Sequence, residues 1–66
     1  MKHAHLIGIG GSGLSAIARV LVEEGYQVSG SDLEYSSYAS ELEKMGVYVF
    51  IGHDADQILG ADFVLR

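Results

Sequence analysis

The sequence predicts an α/β fold: a Rossmann-like half, with a parallel four-stranded sheet in the order 3-2-1-4 and helices on both faces. Three observations predict it. Apolar runs of strand type alternate with helix-period segments in the order β-α-β-α-β-α-β. The links are short, which implies right-handed crossovers between parallel strands. The first strand runs into Gly8-Ile9-Gly10-Gly11-Ser12-Gly13, which opens a helix, and an acid, Asp32, closes the second strand.

The first strand spans about residues 4–9 and is apolar on both sides near its end, as a strand covered on both faces should be. The first helix runs from Ser12 or Gly13 to Glu24. Leu14, Ile17, Ala18, Leu21 and Val22 form its apolar stripe. Gly25 stands where a left-handed residue ends a helix. The second strand covers Tyr26 to Gly30 and ends at Ser31-Asp32. The second helix spans about residues 36–45, with Tyr38, Leu42 and Met45 as its apolar face and a Glu41–Lys44 pair. Gly46 ends it as Gly25 ends the first. The third strand, residues 47–51, is rich in β-branched and aromatic side chains. Asp54 and Gln57 have capping-box spacing for a short helix that Gly60 ends, and a fourth strand starts near Phe63.

The chain has 66 residues, room for one small domain. A chain of this size buries only about 60% of the surface it exposes when unfolded. It is 48% hydrophobic and has no cysteine, so neither a disulfide nor a thiolate metal site staples it. Its apolar runs are too short for a membrane span, and its start does not read as a signal peptide; the default placement is cytosolic. The last strand begins only at Phe63, which predicts that the chain is a fragment of something longer. A half-sheet ending there exposes an edge, so self-association through that edge is expected at high concentration.

The formal charge is −5, with only four Lys and Arg residues. Four cations cannot build a phosphate-tracking stripe, which argues against nucleic acid. An acidic chain that binds a phosphate must do so with backbone N–H groups and a helix dipole. In that reading Gly8 makes the turn, Gly10 lets backbone approach the phosphate, and Gly13 lets the helix pack close to the sheet. The N–H groups of Gly11, Ser12 and Gly13 are then free for an anion, with the Ser12 and Ser15 hydroxyls beside them. The plainer reading is a tight turn with Ser12 as helix cap.

Other candidates follow the carboxyl ends of strands. Asp32 suits ribose hydroxyls or a base edge, or is a solvated loop acid; Ser31 lies beside it. His53, after the third strand, suits a base or ribose, or only covers the short helix. His3 and His5 alternate on one strand face, but a third metal ligand is not evident, so they are expected to pack at the sheet's bottom end. Gly8 to Ser15 has P-loop spacing, yet Leu14 occupies the lysine position, so this is a poor triphosphatase loop. A nucleophile elbow or triad spacing is not found. Spacing alone leaves open an NAD-binding Rossmann domain of an oxidoreductase or regulatory protein.

Three segments together resemble the N-terminal domain of the Mur ligases: residues 5–15 (His-Leu-Ile-Gly-Ile-Gly-Gly-Ser-Gly-Leu-Ser), residues 25–32 (Gly-Tyr-Gln-Val-Ser-Gly-Ser-Asp) and residues 51–54 (Ile-Gly-His-Asp). The resemblance covers the whole chain. It implies a bacterial cytoplasmic enzyme of peptidoglycan synthesis, and so of cell shape and division. Such an enzyme joins L-alanine to the lactyl carboxylate of UDP-N-acetylmuramate through an acyl phosphate. ATP and magnesium are implied for the full-length enzyme, on a central domain with a lysine-bearing P-loop; no cofactor is expected on this chain itself. The resemblance places the UDP moiety here, with Gly10, Gly11, Ser12 and Gly13 at the diphosphate and Asp32 and His53 near the uridine; Ser31 is counted with them among the residues of the UDP site.

Overall fold

The four strands are β1 (His3–Ile7), β2 (Gln27–Asp32), β3 (Tyr48–Ile51) and β4 (Phe63–Leu65), and the computed structural model describes all of residues 1–66. They form one parallel sheet in the order β3-β2-β1-β4, as the alternation predicts. Between them lie α1 (Ser12–Glu23), α2 (Ser37–Lys44) and a single 3₁₀ turn, Ala55–Ile58.

Both helices stop where a glycine permits it. Gly25 takes φ +92° and Gly46 φ +95°. Tyr26 N–H then donates to Leu21 O and Gly25 N–H to Val22 O, each at 3.0 Å. Val47 N–H donates to Leu42 O at 3.1 Å and Gly46 N–H to Glu43 O at 3.0 Å. Each pair of bonds is a Schellman motif, which satisfies carbonyls that a helix end leaves orphaned.

The two α-helices share one face of the sheet. Ala4, Leu6 and Val28 point into it and meet Ile9, Ala18, Leu42 and Val47 in the core. The other face carries His3, His5, Ile7, Ser29, Ser31, Tyr48 and Phe50, and the 3₁₀ turn alone covers it. The two faces are therefore covered unequally.

Several details differ from expectation. The first strand ends at Ile7, because Gly8 at φ +90° turns the chain there. Ile17 is 46% exposed on the rim of the α1 stripe, and Leu14, Ala18, Leu21 and Val22 do the packing. Tyr38 is 48% exposed; Ala39 and Leu42, three apart, form the inward row of α2. The expected capping box is not closed. Asp54 Oδ1 accepts from Asp56 N–H at 2.9 Å, while the Gln57 amide donates to Gly52 O at 3.0 Å. A 3₁₀ turn is tighter than an α-helix, so the cap meets a nearer amide. The Glu41–Lys44 pair forms, at 3.4 Å.

His3 opens β1 at the amino edge of the sheet, as expected, but His5 does not sit at that end. His5 is fully buried in mid-strand. Its Nδ1 lies 2.8 Å from Ser29 Oγ, which is 2.7 Å from His3 Nε2. Ser29 has one hydroxyl proton, so it donates to one ring nitrogen and accepts an N–H from the other ring. His5 Nε2 has no partner. Burial, followed by the nearby His3 and His53, pushes the His5 pKa below its usual 6.5.

Two measurements test this packing. Gly30 has no room for a side chain: a Cβ there would lie 2.6 Å from Ile9 Cβ and 2.7 Å from Leu6 O. Gly30→Ala should destabilise the chain by about 3 kcal/mol in urea unfolding, because both neighbours are fixed. For His5, the unfolded chain takes up the proton more readily than the folded one. Stability is therefore full above pH 6.5 and falls as pH drops below it. The urea midpoint should fall between about pH 7.5 and pH 5, and His5→Gln should flatten that slope.

Candidate nucleotide site

The turn between β1 and α1 lies at the carboxyl edge of the sheet, beside the step from β1 to β4 where the strand order changes direction. This is the crevice in which open α/β sheets bind ligands. Gly8 and Ile9 N–H both donate to Ser31 O, at 2.7 and 3.0 Å. Gly11 N–H donates to Gly8 O at 3.1 Å. Gly10 N–H donates to Asp32 Oδ2 at 2.9 Å. The loop is thus satisfied from Gly8 to Gly11 without any ligand.

The next three amides are different. Ser12, Gly13 and Leu14 N–H make no hydrogen bond within the chain, and no side chain caps α1. Gly11 is the N-cap, in an extended conformation at φ −77°, ψ 157°. Gly11, Ser12 and Gly13 are all exposed. Three unpaired donors at the positive end of a 12-residue helix form a corner suited to an anion.

The free set is shifted by one residue from the expected one. Gly11's amide is already used, and Leu14's takes its place. Ser12 does not act as the helix cap. The expected reasons for two glycines also change. A Cβ on Gly10 would lie 2.9 Å from both Asp32 Oδ2 and Ser36 Oγ, so Gly10 makes room for this chain's own side chains. A Cβ on Gly13 would meet nothing within 4 Å, so Gly13 does not bring α1 to the sheet; Gly30 gives the close approach, against Ile9. Ser15 is buried and its hydroxyl donates back to Ser12 O at 3.1 Å.

Asp32 holds the loop with one oxygen and its own following turn with the other. Oδ2 takes the Gly10 amide, and Oδ1 takes Leu33 N–H at 2.7 Å. Ser36, outside the expected set, donates to Gly10 O at 2.9 Å. Its only sequence signal is its place as N-cap of α2.

Ser31 and His53 meet each other on the opposite face. Ser31 Oγ lies 2.7 Å from His53 Nδ1. They line a pocket of about 210 Å³ with His5, Ile7, Asp54, Ala55, Gln57 and Ile58. Two buried polar atoms there lack partners, His5 Nε2 and Gln57 Oε1. The expected site residues therefore form two groups. Gly10, Gly11, Ser12, Gly13 and Asp32 build the turn and helix start. Ser31 and His53 sit across the sheet edge.

Comparison with known proteins places this geometry in a family. The Mur ligase family, catalytic domain, matches residues 3–65. A UDP-N-acetylmuramate–L-alanine ligase of Burkholderia mallei (strain SAVP1) is 55% identical over 65 residues, covering 98% of this chain. The chain spans 14% of that relative's length. A UDP-N-acetylmuramate–alanine ligase structure from Thermotoga maritima superposes with TM-score 0.90 at 36% identity, over 97% of this chain and 15% of its own. The UDP-N-acetylmuramate:L-alanyl-γ-D-glutamyl-meso-diaminopimelate ligase of Neisseria meningitidis superposes with TM-score 0.87 at 40% identity, over 100% of this chain and 22% of its own. These relatives are named as UDP-N-acetylmuramate ligases and do not favour an NAD-binding oxidoreductase. With its glycine turn, its strand order and the match over residues 3–65 together, the chain belongs to the Mur ligase family.

Proposed function

We propose that this chain is the segment of a UDP-N-acetylmuramate–L-alanine ligase that seats the UDP group of the sugar substrate. The observation that carries the reading is the row of unpaired Ser12, Gly13 and Leu14 amides at the start of α1. They suit the diphosphate, and in a chain of net charge −5 they meet it without cationic side chains. Gly10 and Gly11 form the backbone wall beside it. The uridine then reaches the sheet edge, with Asp32 on one side and Ser31 and His53 on the other.

The relatives' names support the same assignment. Two ligases that differ in the amino partner share UDP-N-acetylmuramate in their names, and both carry this segment. A segment common to both fits the common substrate. The 55% identity supports L-alanine as the partner in the whole protein. The whole enzyme would work in the bacterial cytoplasm in cell-wall synthesis; no helix here is long and apolar enough to cross a membrane.

ATP and magnesium do not fit these residues. Leu14 stands at the lysine position of the P-loop spacing and packs against the core. No group of three or more His, Asp or Glu side chains is placed to hold a metal. Activation of the carboxylate is therefore assigned to the rest of the enzyme, and this chain's residues bind and orient the nucleotide.

Titration with UDP-N-acetylmuramate, UDP and NAD⁺ tests the reading. The two UDP compounds should bind and NAD⁺ should not; the reverse pattern rejects it. Ser12→Pro isolates the amides. Proline suits the first helical position, and the extended Gly11 before it suits a following proline. It removes one donor and should weaken UDP binding about tenfold with unchanged stability. Ser12→Ala keeps the amide and should bind as the parent does.

A further inference from the structure

The shape of the anion corner depends on a residue outside the glycine motif. Gly10 is buried, and the β2–α2 connection holds both of its polar backbone groups. Asp32 Oδ2 accepts its N–H at 2.9 Å, and Ser36 Oγ donates to its carbonyl at 2.9 Å. The same Ser36 oxygen accepts Ala39 N–H at 3.1 Å as the N-cap of α2.

The second contact bears on the helix start. The Gly10 carbonyl and the Gly11 N–H belong to one planar peptide unit. Ser36 holds its oxygen end, and Gly8 O holds its N–H end at 3.1 Å. Glycine on both sides of that plane would otherwise let it rotate freely. With the plane fixed, the Gly11 backbone delivers the Ser12, Gly13 and Leu14 amides in one direction.

We propose that Ser36 is a positioning residue for the phosphate corner: its hydroxyl fixes the Gly10–Gly11 peptide plane, so the three free amides converge before the anion arrives. The proposal rests on the diphosphate-seating reading above. Ordering a Gly-Gly pair on binding would cost affinity, and a prebuilt loop avoids that cost. Capping α2 needs only an acceptor, which aspartate supplies equally well, and glycine is a tolerated cap. Holding the Gly10 carbonyl needs a donor. The two roles of one hydroxyl can therefore be separated.

The test uses the full 66-residue chain. Ser36→Asp and Ser36→Gly retain a workable cap without the donor, and Ser36→Thr retains both. Helix content by circular dichroism, amide shifts and exchange rates at Gly11 to Leu14, and UDP affinity are read for each. Both donorless variants should keep parental helix content. Their Gly11 amide should exchange faster, their Ser12 and Gly13 shifts should move, and their UDP affinity should fall about tenfold. Ser36→Thr should restore all three. Parental shifts, exchange and affinity in a folded Ser36→Asp or Ser36→Gly chain would overturn the proposal. If the parent does not bind UDP, the diphosphate reading fails, while the amide shifts and exchange rates still decide for or against the clamp.

Discussion

The end of β2 is the anchor on which the rest of the molecule depends. Ser31 O receives the amides of Gly8 and Ile9, and Asp32 receives that of Gly10. Four residues later Ser36 reaches back to the Gly10 carbonyl. The β1–α1 turn is thus shaped against the strand beside it rather than by its own glycines alone. Gly30 completes the contact by offering no side chain where Ile9 must lie. Hydrogen bonds and close packing act over a few ångströms, so this anchor sets where α1 begins and which amides it leaves free.

The two faces of the sheet do different work. The helix-covered face is a small aliphatic core. The other is lined with imidazoles and hydroxyls, and the Ser29 hydroxyl bridges two of the rings, donating to one and accepting from the other. Burial, followed by the neighbouring His3 and His53, disfavours the charged form of His5, and a neutral ring offers one donor and one acceptor at fixed orientation. That polar face and the helix start meet at the sheet's carboxyl edge. One edge therefore offers both a dipole-backed anion corner and a partly polar pocket.

Much of the fold was legible because it is written in local chemistry. Gly25 and Gly46 end their helices by the left-handed conformations they adopt, and Glu41 finds Lys44 three residues on. Alternation with short links leaves few topologies besides the observed strand order. Legibility faded where a residue's neighbour came from far along the chain. Ile17 and Tyr38 have helical spacing suited to burial, but each stays about half exposed. Gly30 takes over the close approach expected at Gly13, because only the packed sheet shows which backbone Ile9 approaches.

The candidate site divides along the same line. A glycine turn between strand and helix, with an acid at the next strand's end, is enough in the sequence to predict an amide-lined phosphate corner. Which amides remain free is a tertiary matter. Gly10 and Gly11 lose theirs to Asp32 and Gly8 O, and Leu14 gains a place. The sequence by itself determined the element order, the helix stops and the family. Only the folded chain decided that Asp32 and Ser36 grip the loop, and that Ser31 and His53 face the other way. Side chains alternate across a strand, and a hydrogen bond forms only between groups that the fold has brought within about 3 Å.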